Sequence, residues 1–185
     1  MSQAPATLDL RSLHLVPGAA AARRLRVPPI ALRLGGLDHR VEPEEPEVDL
    51  TVTRSLSGLH LRIAMAVDLV GPCWRCLADA RAHLEVESEE FSADGRDPDA
   101  PFDEDLDSVY VHEHTLDLAA WTRDAVAEAV PATLLCREDC AGLCPQCGAD
   151  LNQGPCGCAQ EEHDPRWDGL KAVAERLSGD RADTG

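Results

Sequence analysis

The chain has 185 residues, with 34 acidic against 17 basic side chains and a formal net charge of −17. That length suits one ordinary domain with a small appendage, and so acidic a surface repels nucleic acid, which argues against bulk RNA binding. Aromatic residues make up 3% of the chain, so its core has to come from many small burials of Leu, Val, Ile and Ala.

No stretch approaches the run of about 20 apolar residues that spans a bilayer. The N-terminus lacks the charged and apolar regions of a secretory signal. The expected compartment is the cytoplasm, where thiols stay reduced.

The first forty residues alternate short apolar runs with arginines. From Arg11 to Arg40 inclusive there are six arginines and one acid, Asp38. The cluster Arg23, Arg24 and Arg26 is the candidate partner-binding surface of this zone, and a solvated face is the plainer reading. Residues 41–47 (VEPEEPE) read as an acidic, proline-containing linker that closes an N-terminal segment over 1–48.

A β-rich core is expected over 49–135. Leu50, Val52 and Leu56 fall on one alternating face that ends at Ser57-Gly58. The string LHLRIAMAVDLV then carries Leu59, Leu61, Ile63, Met65, Val67 and Leu69 at strict period two, the best strand in the chain. It ends at Gly71-Pro72. A second strand follows Cys76, with Leu84 and Val86 alternating against His83, Glu85 and Glu87, so the pair reads as a hairpin joined through GPCWRC. Eleven carboxylates and one arginine lie between Glu85 and Asp107. The portion from about 92 to 107 reads as an exposed acidic loop.

Over about 115–130, Leu118, Trp121, Ala125 and Ala129 share one helical face, and Pro131 ends the run. The segment 136–185 is cysteine-rich and closes on a second, shorter helix. There Asp164-Pro165 supplies the start, and Trp167, Leu170, Ala174 and Leu177 form the apolar stripe. The fold class is therefore α+β: a mainly antiparallel sheet with one long helix, then a cysteine-rich metal-bound segment.

Eight cysteines form four close pairs: Cys73/Cys76, Cys136/Cys140, Cys144/Cys147 and Cys156/Cys158. Zinc takes four thiolates tetrahedrally in a closed structural site, and two ligands on one turn are its usual half-site. Four half-sites make two complete zinc sites with no thiol left over. In CPQCGADL, Gly148 can take positive φ and let backbone N–H groups face the sulfurs. Cys156 and Cys158 can close that site across a short loop at small entropic cost. Cys73, Cys76, Cys136 and Cys140 then combine across sequence, although spacing alone leaves mixed groupings open.

Three rival chemistries compete with zinc for these thiols. Cys140, Cys144 and Cys147 have the spacing of a [4Fe–4S] triad, but only about forty residues follow and the thiols sit in a richer set of pairs. CWRC and CPQC resemble dithiol redox centres, yet neither opens a helix after a strand. Disulfides need an oxidising compartment. His112 and His114 flank Glu113 and read as solvated polar residues. No nucleophile set, phosphate loop or paired carboxylate points to an enzyme.

GPCWRCL after a hairpin strand, an acidic stretch, a helix running to a proline, then LCREDCAGLCPQCGADLN, CGC and DPRWDGL resemble the YceD family, the large ribosomal RNA subunit accumulation proteins. The similarity runs from about Leu8 to Leu177 and is most specific in the two cysteine blocks. The resemblance implies a non-enzymatic protein needed for large-subunit (23S) ribosomal RNA to accumulate. It also implies that Cys73, Cys76, Cys136 and Cys140 form the family-wide site and the other four an added one. The charge favours an adaptor that holds a basic ribosomal protein or assembly factor over direct RNA contact. The competing readings are a zinc-dependent thiol redox sensor and a zinc-ribbon transcription adaptor.

Overall fold

A computed structural model describes residues 7–93 and 107–158, together with Leu170. The chain divides into two units, Met1–Gly142 and Leu143–Gly185. The first is an antiparallel sheet with one helix, as the α+β pattern predicts.

Its spine is β6 (Gly58–Pro72), the strand of strict period two. Leu61, Ile63, Met65, Val67 and Leu69 are all buried, because alternate side chains of a strand share one face. β7 (Asp79–Ala93) returns antiparallel along the full length of β6, with Met65 opposite Val86 and Val67 opposite Leu84. The other edge of β6 is shared. β5 (Glu47–Arg54) pairs with residues 59–64, and β4 (Leu37–Glu42) with residues 68–70. β2 (Ala20–Arg26) extends the sheet beyond β5, and β3 (Ala31–Leu34) beyond β4, giving six strands.

A second, three-stranded sheet joins β1 (Thr7–Asp9), β9 (Thr115–Asp117) and β8 (Val111–His112) in the order β1-β9-β8. α1 (Leu118–Ala129) follows, capped by the Asp117 carboxylate, which accepts from the Ala120 N–H at 2.9 Å. Leu118, Trp121, Ala125 and Val126 are buried, and the helix packs against β7 and β1. The Trp121 indole N–H donates to Ser88 Oγ on β7 at 2.9 Å. Each large side chain so buried contributes about 1.5–3 kcal/mol of transfer free energy.

Several expectations change. Residues 7–48 supply β1 to β4 and the start of β5, so these strands pair into the two sheets. The expected linker at 41–47 is a turn, with Val41 and Glu42 in β4 and Glu47 in β5. Leu56 is 91% exposed, because β5 stops at Arg54 and the Ser55 hydroxyl donates to Gly58 O to make the turn. The helix begins at Leu118, since residues 115–117 pair with β1 instead. β7 carries His83, Glu85 and Glu87 on its exposed alternation, as the hairpin reading expects, but it runs on to Ala93, past the expected start of the acidic loop. The acidic loop at 94–106 and the terminal helix around Trp167, Ala174 and Leu177 lie outside the described residues. No helix among the described residues is long and apolar enough to cross a membrane.

Candidate metal centres

The tip of the β6–β7 hairpin is a tight turn around CWRCLA. The Cys73 N–H donates to Ala78 O at 2.7 Å, and the Leu77 N–H returns to Cys73 O at 2.9 Å. The Arg75 N–H points at Cys73 Sγ, 3.4 Å away. This turn meets the segment after α1. The Trp74 N–H donates to Leu134 O at 2.9 Å, and Arg75 Nη1 donates to Cys140 O at 2.8 Å. Gly142 lets the chain pass close by: its φ is +76, and a Cβ there would lie 3.1 Å from Arg75 O.

These contacts bring Cys73, Cys76, Cys136 and Cys140 together, with all four sulfurs within 4.8 Å of one another. Cys73 and Cys140 are buried, with sulfurs 3.8 Å apart; those of Cys76 and Cys136 are 3.6 Å apart. Tetrahedral metal–thiolate bonds of about 2.3 Å place sulfurs about 3.8 Å from each other, so the donor set fits one divalent ion. A disulfide sulfur pair sits at about 2.05 Å, and all eight cysteines are free.

The thiols differ in how readily they give up protons. Burial pushes Cys73 up, but N–H groups of Cys136, Cys76 and Arg75 outweigh it and hold the thiol down at about 6. Cys136 is pushed up to about 12, first by desolvation and then by the three neighbouring sulfurs. The residue as a whole is exposed, yet its sulfur lies against those neighbours. Four thiolates packed this closely repel one another, and a cation relieves that repulsion.

The second unit repeats the device. In CPQCGA the Cys144 N–H donates to Ala149 O at 2.8 Å, and the Gly148 N–H returns to Cys144 O at 2.9 Å. Gly148 has φ +73, as its place after the second cysteine predicts. Leu143 bridges Asp150 across the turn. Asp150 then caps the 3-10 turn Leu151–Gln153, accepting from the Asn152 N–H at 3.0 Å. Gly154, at φ +134, redirects the chain toward Cys156 and Cys158. Cys144, Cys147, Cys156 and Cys158 again lie with sulfurs within 4.8 Å. Backbone donors of Cys147 and Gln146 hold Cys144 down at about 6, whereas a hydrogen bond with Cys147 and desolvation push Cys158 up to about 12.

The eight cysteines therefore fall into two groups of four, each able to hold a metal ion. Of the three cysteines with [4Fe–4S] spacing, Cys140 belongs to the first group and Cys144 and Cys147 to the second. Sequence reading missed Arg75, Leu134 and the positive φ of Leu77. The signal was the shared string C-x-x-C-x-A, whose alanine carbonyl closes both turns.

The arginine cluster lies elsewhere, on β2. Arg24 makes a two-point ion pair with Asp49, at 2.7 and 3.0 Å, and Arg26 pairs with Glu47 at 3.2 Å. Arg23 donates to the Ala22 carbonyl. Two of the three charges are thus answered across the β2–β5 ladder. His112 and His114 are exposed.

The family model described as Large ribosomal RNA subunit accumulation protein YceD matches residues 61–174, a span that includes all eight cysteines. An uncharacterized protein of Mycobacterium tuberculosis (strain H37Rv) is 32% identical over 191 residues, covering 97% of this chain and 84% of its own. One from Mycobacterium leprae is 30% identical over 164 residues, covering 88% and 75%. The large ribosomal RNA subunit accumulation protein YCED homolog 1, chloroplastic, of Arabidopsis thaliana is 34% identical over 62 residues, covering 34% of this chain and 19% of its own. No solved structure matches. With its hairpin, its helix and its two four-cysteine groups inside the matched span, the chain belongs to the YceD family.

Proposed function

We propose that this chain is a non-enzymatic ribosome-biogenesis factor that supports accumulation of large-subunit ribosomal RNA, acting as an acidic adaptor held together by two zinc ions. The observation that carries the reading is membership of a family described by that role, with a chloroplast relative named for it. Zinc is the metal because four thiolates without oxygen or nitrogen donors suit it, and sulfurs 3.6–3.8 Å apart match its tetrahedral geometry. When bound, it neutralises the clustered thiolates and ties the hairpin tip to the segment after α1. Four protein ligands leave no open coordination position, which supports a structural role over catalysis.

The adaptor's partner is a basic ribosomal protein or large-subunit assembly factor. The net charge of −17 supports protein contact over direct RNA contact, and so does the pairing of Arg24 and Arg26 with carboxylates. Sucrose-gradient profiles of a deletion strain test the role: large-subunit RNA is expected to fall relative to small-subunit RNA. Normal levels of large-subunit RNA and its precursors would overturn the reading.

A further inference from the structure

β7 is an edge of the six-stranded sheet, and ladder geometry fixes which of its groups lie on the outside. The Cys73 N–H to Ala78 O bond makes residues 73 and 78 a hydrogen-bonded pair. In an antiparallel ladder such pairs recur at every second residue. In this register they are Gly71 with Ala80, Leu69 with Ala82, Val67 with Leu84, Met65 with Val86 and Ile63 with Ser88. The residues between them, Asp79, Arg81, His83, Glu85, Glu87 and Glu89, aim their N–H and C=O groups away from β6. One bond confirms the parity: Ser108 N–H donates to Phe91 O, also an odd position, from outside. Among the described residues, no backbone group bonds that outer edge between Asp79 and Glu89.

Folded proteins blunt such edges by shortening, bulging, inserting proline, charging or covering them. β7 is fifteen residues long, with a continuous register and no proline inside it, and charge is the one such device on its open stretch from Asp79 to Glu89. Its exposed side chains over one stretch are Glu85, Glu87 and Glu89. Arg62 answers part of that charge, 2.9 Å from Glu87 and 3.6 Å from Glu89. Glu85 has no ion pair among the described residues.

We propose that the free edge of β7 receives an extended lysine- or arginine-rich polypeptide segment as an added antiparallel or parallel strand. Unpaired backbone groups supply the binding energy, and the glutamate row selects alternating basic side chains on the facing side. A second copy of this chain brings the same glutamates and the same net charge, so it is the poorer occupant. This inference rests on the adaptor reading and names the surface and the chemistry of its partner.

The test uses the full-length zinc-loaded protein and a labelled peptide of alternating lysine and valine. Amide exchange at Arg81, His83, Glu85, Glu87 and Glu89 is expected to slow roughly tenfold or more with peptide, while Ala82, Leu84 and Val86, already in the ladder, change little. Glu87→Pro removes one outward N–H and leaves the β6 ladder intact. It is expected to weaken peptide binding roughly tenfold. Glu85→Gln with Glu89→Gln keeps the backbone and is expected to weaken binding with the same exchange pattern. Peptide binding without protection at the odd residues overturns the proposal, as does full binding by Glu87→Pro. A dimer that protects the same edge without peptide assigns it to a second copy and also overturns it. None of these readouts involves ribosomal RNA, so a failure here leaves the ribosomal reading to its own gradient test.

Discussion

Leu77 and Gly148 occupy the same step of two matching cysteine turns, and both take left-handed backbone, with φ +62 and +73. In each turn the N–H of that residue returns to the carbonyl of the first cysteine, four positions back. Closing the turn therefore requires positive φ whatever the side chain. Glycine adopts it freely, whereas a leucine there costs about 1–2 kcal/mol. The Leu77 side chain is 57% exposed, so its removal forfeits little burial. Leu77→Gly is expected to raise the stability of the metal-loaded protein by roughly 1 kcal/mol, after the added freedom of the unfolded chain is set against it. Gly148→Leu is expected to cost about 1–2 kcal/mol. Denaturant melts of both variants check this, and a destabilised Leu77→Gly would show that the leucine side chain holds the turn by contacts of its own.

The parts that were readable from sequence are those whose physics is local. β6 announces itself because every second residue from Leu59 to Leu69 is apolar and the sheet has one buried face. β2 does not: AAARRLR is an outer strand with no buried side chain, held by ladder bonds and by Arg24 and Arg26 reaching Asp49 and Glu47. A lone, partly buried Leu25 gives periodicity nothing to report. β9 was hidden for another reason. Its Thr115–Asp117 pairs with Thr7–Asp9, more than a hundred residues away, and next to α1 those three residues read as its first turn. The cysteine grouping was readable because the local pairs Cys144/Cys147 and Cys156/Cys158 close on themselves and leave the other two for each other. The angle of Leu77 was not, since residue type argues against it.

Removing one pair of ligands is expected to cost one metal ion and no more. Cys73→Ser with Cys76→Ser takes two thiolates from the first group, and metal content is expected to fall from two per chain to one. Because the Trp74–Leu134 and Arg75–Cys140 bonds flank that group, amide exchange near residues 134–142 is expected to accelerate while the interior β6–β7 ladder stays protected. Cys144→Ser with Cys147→Ser is expected to leave the first unit's exchange unchanged. Elemental analysis with hydrogen exchange decides it. Loss of both ions from either double variant would mean that the two groups are not independent.

The Trp121–Ser88 hydrogen bond ties α1 to β7, with the indole 1% exposed. Ser88→Ala leaves the indole N–H buried without that partner, an expected loss of about 1–3 kcal/mol. Trp121→Phe removes the donor and some volume together. Once Trp121 is Phe, adding Ser88→Ala is expected to cost much less, since no N–H remains to be orphaned. A double-mutant cycle on denaturant midpoints reads the coupling directly, and additive losses would show that the bond contributes nothing.

At the far end of β6, Gly71 carries the His39 ring against its backbone: a Cβ there would run into the imidazole. His39 is buried, with Nδ1 3.0 Å from Leu37 O, and it sits on β4, the strand paired with this end of β6. Gly71→Ala therefore forces the ring or the strand to move, and overpacking of this kind costs about 1–3 kcal/mol. The consequence extends to the metal, because Gly71 lies two residues before Cys73 and shares its strand-to-turn backbone. Gly71→Ala is expected to release the metal ion of the first group at lower chelator concentration than wild type, with the second group unaffected. His39→Ala in the same chain removes the obstruction and is expected to restore retention of that ion. If the double variant loses that ion as readily as Gly71→Ala alone, the His39 contact is not what positions the hairpin tip.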